Sequence, residues 1–527
     1  MQIRWTGDTG RTETTDLFGL IALLAADRPV SFPALRSHQR HPLHAFCCQI
    51  AASALIAAGR TDVPIERDTW KTLLLALTPE YPDGEAWKLV GDDWSKPALL
   101  QPPGMSPSLR NTPKKTASTP DQLDMLRTGR NNDLKGSRMF DAEDDDWLFA
   151  MLSLQTQDGR EGPGLDGISR MNGAYGSRVA VSVQPAGDRP GQAFRRDTEK
   201  LLTLRESITS DSPAKGDLVL MWLVPWDGTK QLSMKALDPY YVDVCRLCRL
   251  MRDDQGRLRA ILATAKNPRV SAKAFNGMTG DPWAPTRNGE DKSWGVSVAG
   301  FGYRQISQLL DPKLNKRSAL GTPGKEDLSR DLVLKARAVT RGQGKTEGYH
   351  ERTLPIPAAA AKRLSFSADQ DQVATVCNAR VQDASDAQRV LRLALMSLHQ
   401  GGPGKIKLDD VPTAARVQRW LTQFDRHVDA AFFDDDFWSD VAEPERAFEH
   451  FGRPWREQLE RMARNIFTQA QEAAPRAEMR RLKARARSQN LFEGMLWRFV
   501  RSGTDEIEGD ANPLPANPVA SDTEISE

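Results

Sequence analysis

A chain of 527 residues exceeds what one hydrophobic core organises, so two or three domains are expected. Its 72 basic and 70 acidic residues leave a formal charge of only +2, which excludes a uniformly basic nucleic-acid binder and confines any polyanion contact to local patches. No apolar run approaches the roughly 20 residues of a membrane span, and the opening MQIRWTGDTGRTETTD carries no hydrophobic signal region, so a cytoplasmic location is expected. Five cysteines over this length make no disulfide framework.

In chain order, Leu17 to Ala26 predicts an apolar helix and His41 to Ala58 a second, with Pro42 near its start where helices tolerate it. A polar, Pro-rich connection follows from Asp92 to Pro120, then a basic loop from Thr128 to Arg138 (TGRNNDLKGSR). The acids from Asp141 to Asp146 suit the N-terminus of a helix at Trp147 to Leu154. Beyond Arg178 the period shifts toward two. Val179, Val181 and Val183 alternate, LVLMWLVPW (Leu218 to Trp226) reads as a buried strand, and further strands are expected at Ala260 to Ala265, Trp294 to Val298 and Leu332 to Val339. The last of these leads into a hairpin-like RGQGKTEG, Arg341 to Gly348.

From about Lys362 the pattern is helical. Trp455, Leu459, Met462 and Ile466, then Leu491, Met495 and Phe499, repeat as the stripes of packed helices. Past Gly503 the tail holds seven acids and no Lys or Arg, the composition of a disordered segment. The fold class is therefore α+β: a large mixed N-terminal domain with short strands and long loops over residues 1–361, an all-α C-terminal four-helix bundle over 362–502, and an acidic tail over 503–527.

The segment from Gly159 to Arg178, GREGPGLDGISRMNGAYGSR, holds six glycines and three arginines but no histidine or cysteine. Glycines let backbone approach a ligand and arginines supply fixed charge for phosphates, so a polyanion is the natural partner; a solvated loop between two elements is the plainer alternative. No GxxxxGK[ST] is present, and no GxGxxG opens a helix. Catalytic chemistry finds little support. His38, His41 and His44 stand near Cys47 and Cys48 without a second ligand cluster, Cys245 and Cys248 form one CxxC without a second pair, and Asp434 to Asp436 read as a helix start. No GxSxG or HExxH appears, so no metal or cofactor is expected. Near the C-terminus, Arg476, Arg480, Arg481, Lys483, Arg485 and Arg487 crowd one helix with a single acid, Glu478, a density that points to phosphates.

Taken together, the N-terminal apolar helix, DDWSKPALLQPPG, the helix running into PGLDG, Phe275-Asn276-Gly277 ahead of DPWAP, YRQIS at Tyr303 to Ser307, the RGQGK hairpin and the C-terminal bundle lie in one collinear order. That order, over some 450 residues, resembles the CasA-type large subunit of type I-E CRISPR Cascade surveillance complexes.

The resemblance implies a non-catalytic subunit that recognises the motif flanking a protospacer in duplex DNA, from the minor groove, and starts unwinding. It implies a glycine loop at Gly164, Leu165, Asp166 and Gly167, with Leu165 and Asp166 where the family carries more glycine. It implies a wedge glutamine, Gln343, flanked by Arg341 and Lys345 to hold phosphates. The family's minor-groove lysine, counted back from Asn276, lands on Val270, so Arg269 or Lys273 takes that role. The 5′ handle of the guide RNA is expected on Arg130, Lys135 and Arg138, and DNA phosphates on Arg480, Arg481 and Arg485 of the bundle. The implied partners are the guide RNA, target duplex and displaced strand, other Cascade subunits and a helicase-nuclease, with no membrane. A metal-dependent nucleic-acid-processing enzyme and a helical scaffold without nucleic-acid contact are the alternatives.

Overall fold

The computed structural model describes residues 1–106, 115–126, 141–171, 178–342, 345–364, 367–443, 452–474 and 478–501, with the backbone alone at 341, 342, 345–347, 367–370, 478 and 479. Two compact units divide at Ala374/Thr375. The division falls inside the helix Ser367–Gln400, on whose first turns Asp371 stands 3.8 Å from Lys313.

The first unit opens with the hairpin β1 (Ile3–Thr6) and β2 (Thr12–Thr15), followed by α1 (Leu17–Ala25), α2 (Ser37–Ala57) and α3 (Arg67–Ala76). Then come β3 (Lys115–Ala117), α4 (Pro120–Leu123), α5 (Asp144–Gln157), β4 (Ala180–Pro185), α6 (Pro190–Thr203) and α7 (Arg205–Asp211). Short strands β5 (Leu218–Leu220), β6 (Leu232–Ser233), β7 (Leu237–Val242), β8 (Leu247–Arg252), β9 (Leu258–Ala263) and β10 (Val270–Ser271) follow. The unit closes with β11 (Thr286–Arg287), β12 (Lys292–Ser293), α8 (Tyr303–Leu310), β13 (Asn315–Lys316), the long hairpin β14 (Leu332–Gly342) and β15 (Lys345–Ile356), and α9 (Ala358–Ala361). The sheets hold two or three strands each; β14 is flanked by β15 and β4, and β9 by β3 and β8, all antiparallel.

The core sits around α2. Its apolar residues run round the helix, so it is buried on nearly every side, against α5, α6 and β7. Pro42 does not end it, since a proline this near the N-terminus removes one hydrogen bond and leaves the later turns intact. Trp147, Leu148, Phe149 and Met151 of α5 are fully buried in the same cluster, and the acids ahead of them cap the helix: Glu143 and Asp146 form a capping box, while Asp145 takes a bidentate Arg4. Leu218 to Trp226 departs from the expected strand. Only Leu218–Leu220 pairs, with β7; Met221–Leu223 turn as a 3₁₀ segment that seats the Trp222 indole, whose Nε1 donates to Ala86 O at 3.0 Å. Trp294 to Val298 is not a strand either: Trp294 is anchored by its indole to Asn315 Oδ1 at 2.9 Å and the chain bends onward.

Among the described residues the second unit holds four long helices, most of α10 (Ser367–Gln400), then α11 (Val411–Ala431), α13 (Arg453–Ala473) and α14 (Glu478–Arg501), with the short α12 (Asp435–Ala442) between the middle pair. Arg380 organises one end. It donates to Phe432 O, pairs with Asp434, lies over the Trp455 and Phe437 rings, and its own carbonyl accepts the Trp455 indole at 3.1 Å. Asp434 meanwhile caps α12 through Phe437 N–H, so the acidic run is a helix start. Among the described residues no helix is long and apolar enough to cross a membrane. The acidic tail lies outside the described residues.

Candidate nucleic-acid interface

The glycine segment begins where α5 ends, and it is tied to its own protein. Glu161 N–H donates to Leu165 O at 2.9 Å and Leu165 N–H to Gly162 O at 3.1 Å, closing a tight turn; Ala265 N–H, just past β9, donates to Gly164 O at 2.9 Å. Gly164 has φ +74°, and a Cβ there would lie 2.9 Å from both Ala265 O and Thr264 Cβ. A Cβ on Gly167 would lie 2.8 Å from Gly159 C. Both glycines are therefore required by close internal approach. What the turn shows to solvent is the exposed Pro163 and the half-exposed Leu165 and Asp166, with Asp166 held 3.6 Å from Arg160.

Two of the segment's three arginines are not available to phosphates, contrary to the sequence expectation. Arg170 stacks over the Tyr241 ring at 3.8 Å and donates to Tyr241 O at 2.6 Å; Arg178 pairs with Asp281 and donates to Gln157 Oε1 at 3.2 Å. Arg246, also buried, clamps the start of the segment by donating to Asp158 Oδ2 and Gly159 O, each at 2.7 Å. Asp243 receives Ser169 N–H and Oγ–H at 3.1 and 2.8 Å, yet burial outweighs these bonds and the nearby Arg170, pushing its carboxyl up to about 6. The acids Asp243, Asp158 and Asp281 stand 74 to 103 positions from the groups they meet in these bonds, which is why the sequence did not show them.

The two candidates for the minor-groove contact separate cleanly. Arg269 is buried: it donates to Met221 O, Val224 O and Pro225 O at 3.0, 2.7 and 3.3 Å and lies over the Trp226 ring, and desolvation pushes it down to about 10. It cannot reach a ligand. Lys273 is exposed on a 3₁₀ turn that ends at Asn276, whose φ of +47° is left-handed, followed by Gly277 at +82°. Ser293 N–H pins that turn through Asn276 O at 2.9 Å.

The β14–β15 hairpin runs in register from Leu332↔Ile356 to Thr340↔Gly348, shifts by a bulge, and continues as Arg341↔Thr346 and Gly342↔Lys345. Gln343 lies outside the described residues, as do the side chains of Arg341 and Lys345 and all of Arg130, Lys135 and Arg138. The hairpin's position is nonetheless defined. β4, which starts two residues after Arg178, pairs with β14 up to Ala180↔Arg337, so the end of the glycine segment lies beside the strand that leads to the hairpin tip. A small cavity at this junction is lined by His38, His41, Gln157, Arg178, Arg337 and Tyr349. His41 Nε2 and Gln157 Nε2 have no protein partner there, and burial, followed by the charges of Arg178 and Arg337, holds His41 well below its usual titration range.

On α2, His44 Nε2 lies 3.7 Å from Cys48 Sγ, but the three histidines turn to different acids and rings. His38 Nε2 meets Asp124 at 2.7 Å, His44 Nε2 meets Asp197 at 2.8 Å, and His41 faces Trp283. Cys245 donates to Leu154 O at 3.2 Å and packs under the glycine segment with Ile168 and Met171, whereas Cys248 belongs to the main core. Among the described residues no group of three or more His, Cys, Asp or Glu gathers as a metal site.

On α14, Arg480, Lys483 and Arg487 are exposed, while Arg481 and Arg485 are half-buried. Arg476 lies outside the described residues.

No family model and no curated protein matches the chain. Solved structures do. Cse1 from Acidimicrobium ferrooxidans, a CRISPR-associated protein, is 15% identical with a TM-score of 0.60, covering 95% of this chain and 99% of that one. Thermus thermophilus CasA (Cse1) is 15% identical with a TM-score of 0.61, covering 94% and 97%. Thermobifida fusca Cse1 is 12% identical with a TM-score of 0.59, covering 95% and 97%. The chain therefore has the Cse1/CasA fold, an α+β unit followed by a helical one, over nearly its whole length.

Proposed function

We propose that this chain is the large subunit of a type I-E Cascade complex, a non-catalytic partner of an RNA-guided DNA surveillance machine. The observation that carries the reading is likeness over 94–95% of the chain, at TM-scores near 0.60, to the CRISPR-associated proteins Cse1 and CasA. In this reading the subunit recognises a short flanking motif in duplex DNA, begins strand separation beside it, and helps recruit the helicase-nuclease that cuts. Lys273, projecting from a pinned turn, supplies the minor-groove contact; the edge of the Gly164 to Gly167 turn lies against the groove; and Gln343 enters under the flanking base pair while Arg341 and Lys345 hold phosphates. Arg130, Lys135 and Arg138 contact the 5′ handle of the guide RNA. The minor groove offers a degenerate pattern, so protein readout is permissive and guide pairing supplies the sequence specificity. Such a division of labour suits a protein with a net charge of only +2.

Affinity purification of the full chain from its native host tests this reading. Co-isolation of further subunits with RNAs that each join a constant 5′ segment to a variable guide is expected. A chain recovered without RNA overturns it.

A further inference from the structure

Where the end of α5 and the last arginine of the glycine segment meet α2 and β14, the cavity lined by His38, His41, Gln157, Arg178, Arg337 and Tyr349 presents hydrogen-bond donors. Gln157 is 3% exposed and His41 6%. Gln157 Oε1 accepts from Arg178 Nε at 3.2 Å, which settles the orientation of the amide, so its NH2 is the end turned to the cavity without a protein partner. His41 Nε2 likewise has no protein partner, and its ring is seated edge-on against Trp283 with centroids 5.7 Å apart. A buried donor that gives up water and gains no acceptor is destabilising. Two of them turned into one space point to something that accepts from both.

The acids of the neighbourhood do not supply it. Asp124 takes His38 Nε2, Gln39 Nε2, Ser153 Oγ and the Leu126 N–H; Asp281 takes Arg178 and the Trp283 N–H; Glu351 takes the Tyr349 hydroxyl and Arg337. Among the described residues no Asp or Glu lines the cavity. The charges that add to burial in holding His41 below its usual range, those of Arg178, Arg337 and His44, are all cationic. At Arg178 itself burial outweighs Asp281, and the guanidinium is held below its ordinary range. The site therefore favours negative charge. Size narrows the choice further, because the cavity admits little more than one water-sized particle, too little for a phosphate, a carboxylate or a ring. A water accepting from both donors would have to aim its own two O–H bonds at acceptors, whereas a halide only accepts.

We infer that this cavity binds a single monatomic anion, chloride under ordinary conditions, held between the N–H groups of His41 Nε2 and Gln157 Nε2 with Arg178 and Arg337 supplying the charge. His41 acts as the neutral imidazole with its proton on Nε2. An ion there ties together α2, the end of α5, the end of the glycine segment and β14, four segments far apart in sequence, at the root of the β14–β15 hairpin. The inference does not rest on the proposed function, and its test contains no nucleic acid.

The test is urea unfolding of the full chain with sodium chloride or sodium bromide exchanged against sodium gluconate at constant ionic strength. Above half-saturation, each tenfold rise in chloride should raise the folding equilibrium constant by up to about tenfold, with bromide acting likewise and gluconate too large to enter. H41F keeps a ring against Trp283 and removes the donor, so subtracting it cancels general salt effects. The halide dependence should be lost in H41F and reduced in R337Q, whose side chain lies nearer the surface. Anomalous diffraction from parent crystals grown in bromide checks the site without any variant, and a peak is expected within hydrogen-bonding reach of His41 Nε2 and Gln157 Nε2. Equal halide dependence in H41F and the parent, or bromide crystals with no peak in this cavity, overturns the inference and leaves an ordinary water as the occupant.

Discussion

The carbonyl of Gly164 accepts the backbone N–H of Ala265 at 2.9 Å, fastening the tip of the glycine turn to the chain leaving β9. The conformation of the turn is thus fixed by the protein and presented ready-made, and glycine is needed for that fastening before any ligand arrives. Gly164→Ala should cost on the order of 1–3 kcal/mol, from the left-handed φ and the crowding at Ala265 O. Gly162→Ala, whose added Cβ meets nothing within 4 Å, should stay within about 0.5 kcal/mol of the parent. Urea denaturation of the two variants checks the contrast. Gly167→Asp should lose flanking-motif binding together with stability, since its Cβ would meet Gly159 backbone.

The buried Arg178–Asp281 pair is expected to behave as an internal anchor. Asp281→Ala leaves Arg178, with Arg170 close by, as uncompensated buried charge and should destabilise by about 3–5 kcal/mol. Adding Arg178→Met to that variant should recover part of the loss. A double-mutant cycle in which the two losses simply add would show that the charges do not interact.

Asp243 gives the fold a pH signature. Its carboxyl titrates near 6 in the folded protein against 3.8 without the fold, so the protonated form favours folding. That contribution is full below about pH 4 and is lost as pH rises through 6, on the order of 3 kcal/mol in all. Asp243→Asn should remove this slope and be more stable than the parent at pH 7. Subtracting the parent's urea midpoints at pH 4, 5, 6 and 7 isolates it from Asp383, which is also raised to about 6 by burial.

Lys273 and Arg269 should part company in experiment as they do in space. Lys273→Ala is expected to weaken binding to duplex bearing the flanking motif with stability unchanged within about 0.5 kcal/mol. Arg269→Ala strips partners from three carbonyls and a cation from over Trp226, and should destabilise by several kcal/mol. Parallel gel-shift and melting measurements on both variants check this. A stable Arg269→Ala protein that lost motif binding would reverse the assignment.

How much was legible in the sequence depended on how local the cause was. The helices of Leu17, His41 and Trp147, the bundle stripes and the β14 hairpin came from periodicity and caps that neighbouring residues supply. The arginines of the glycine segment were misread because charge alone does not distinguish a phosphate contact from an internal ion pair, and Asp281 is 103 positions from Arg178. Leu218 to Trp226 looked like a strand, yet its indoles are claimed by the core one by one, which breaks the pleat after Leu220. On α14 Phe499 is buried as its spacing implied, but Phe492 and Leu496 are buried where Leu491 and Met495 were expected.

The proposed role requires this chain to open duplex DNA beside a flanking motif. Permanganate footprinting of the assembled complex, on guide-matched duplexes that differ only in the flanking base pairs, measures this directly. Opening is expected to require the chain, to depend on the flank, and to be reduced by Gln343→Ala while guide RNA remains bound. Equal opening on every flank, or opening that does not need this chain, would contradict it.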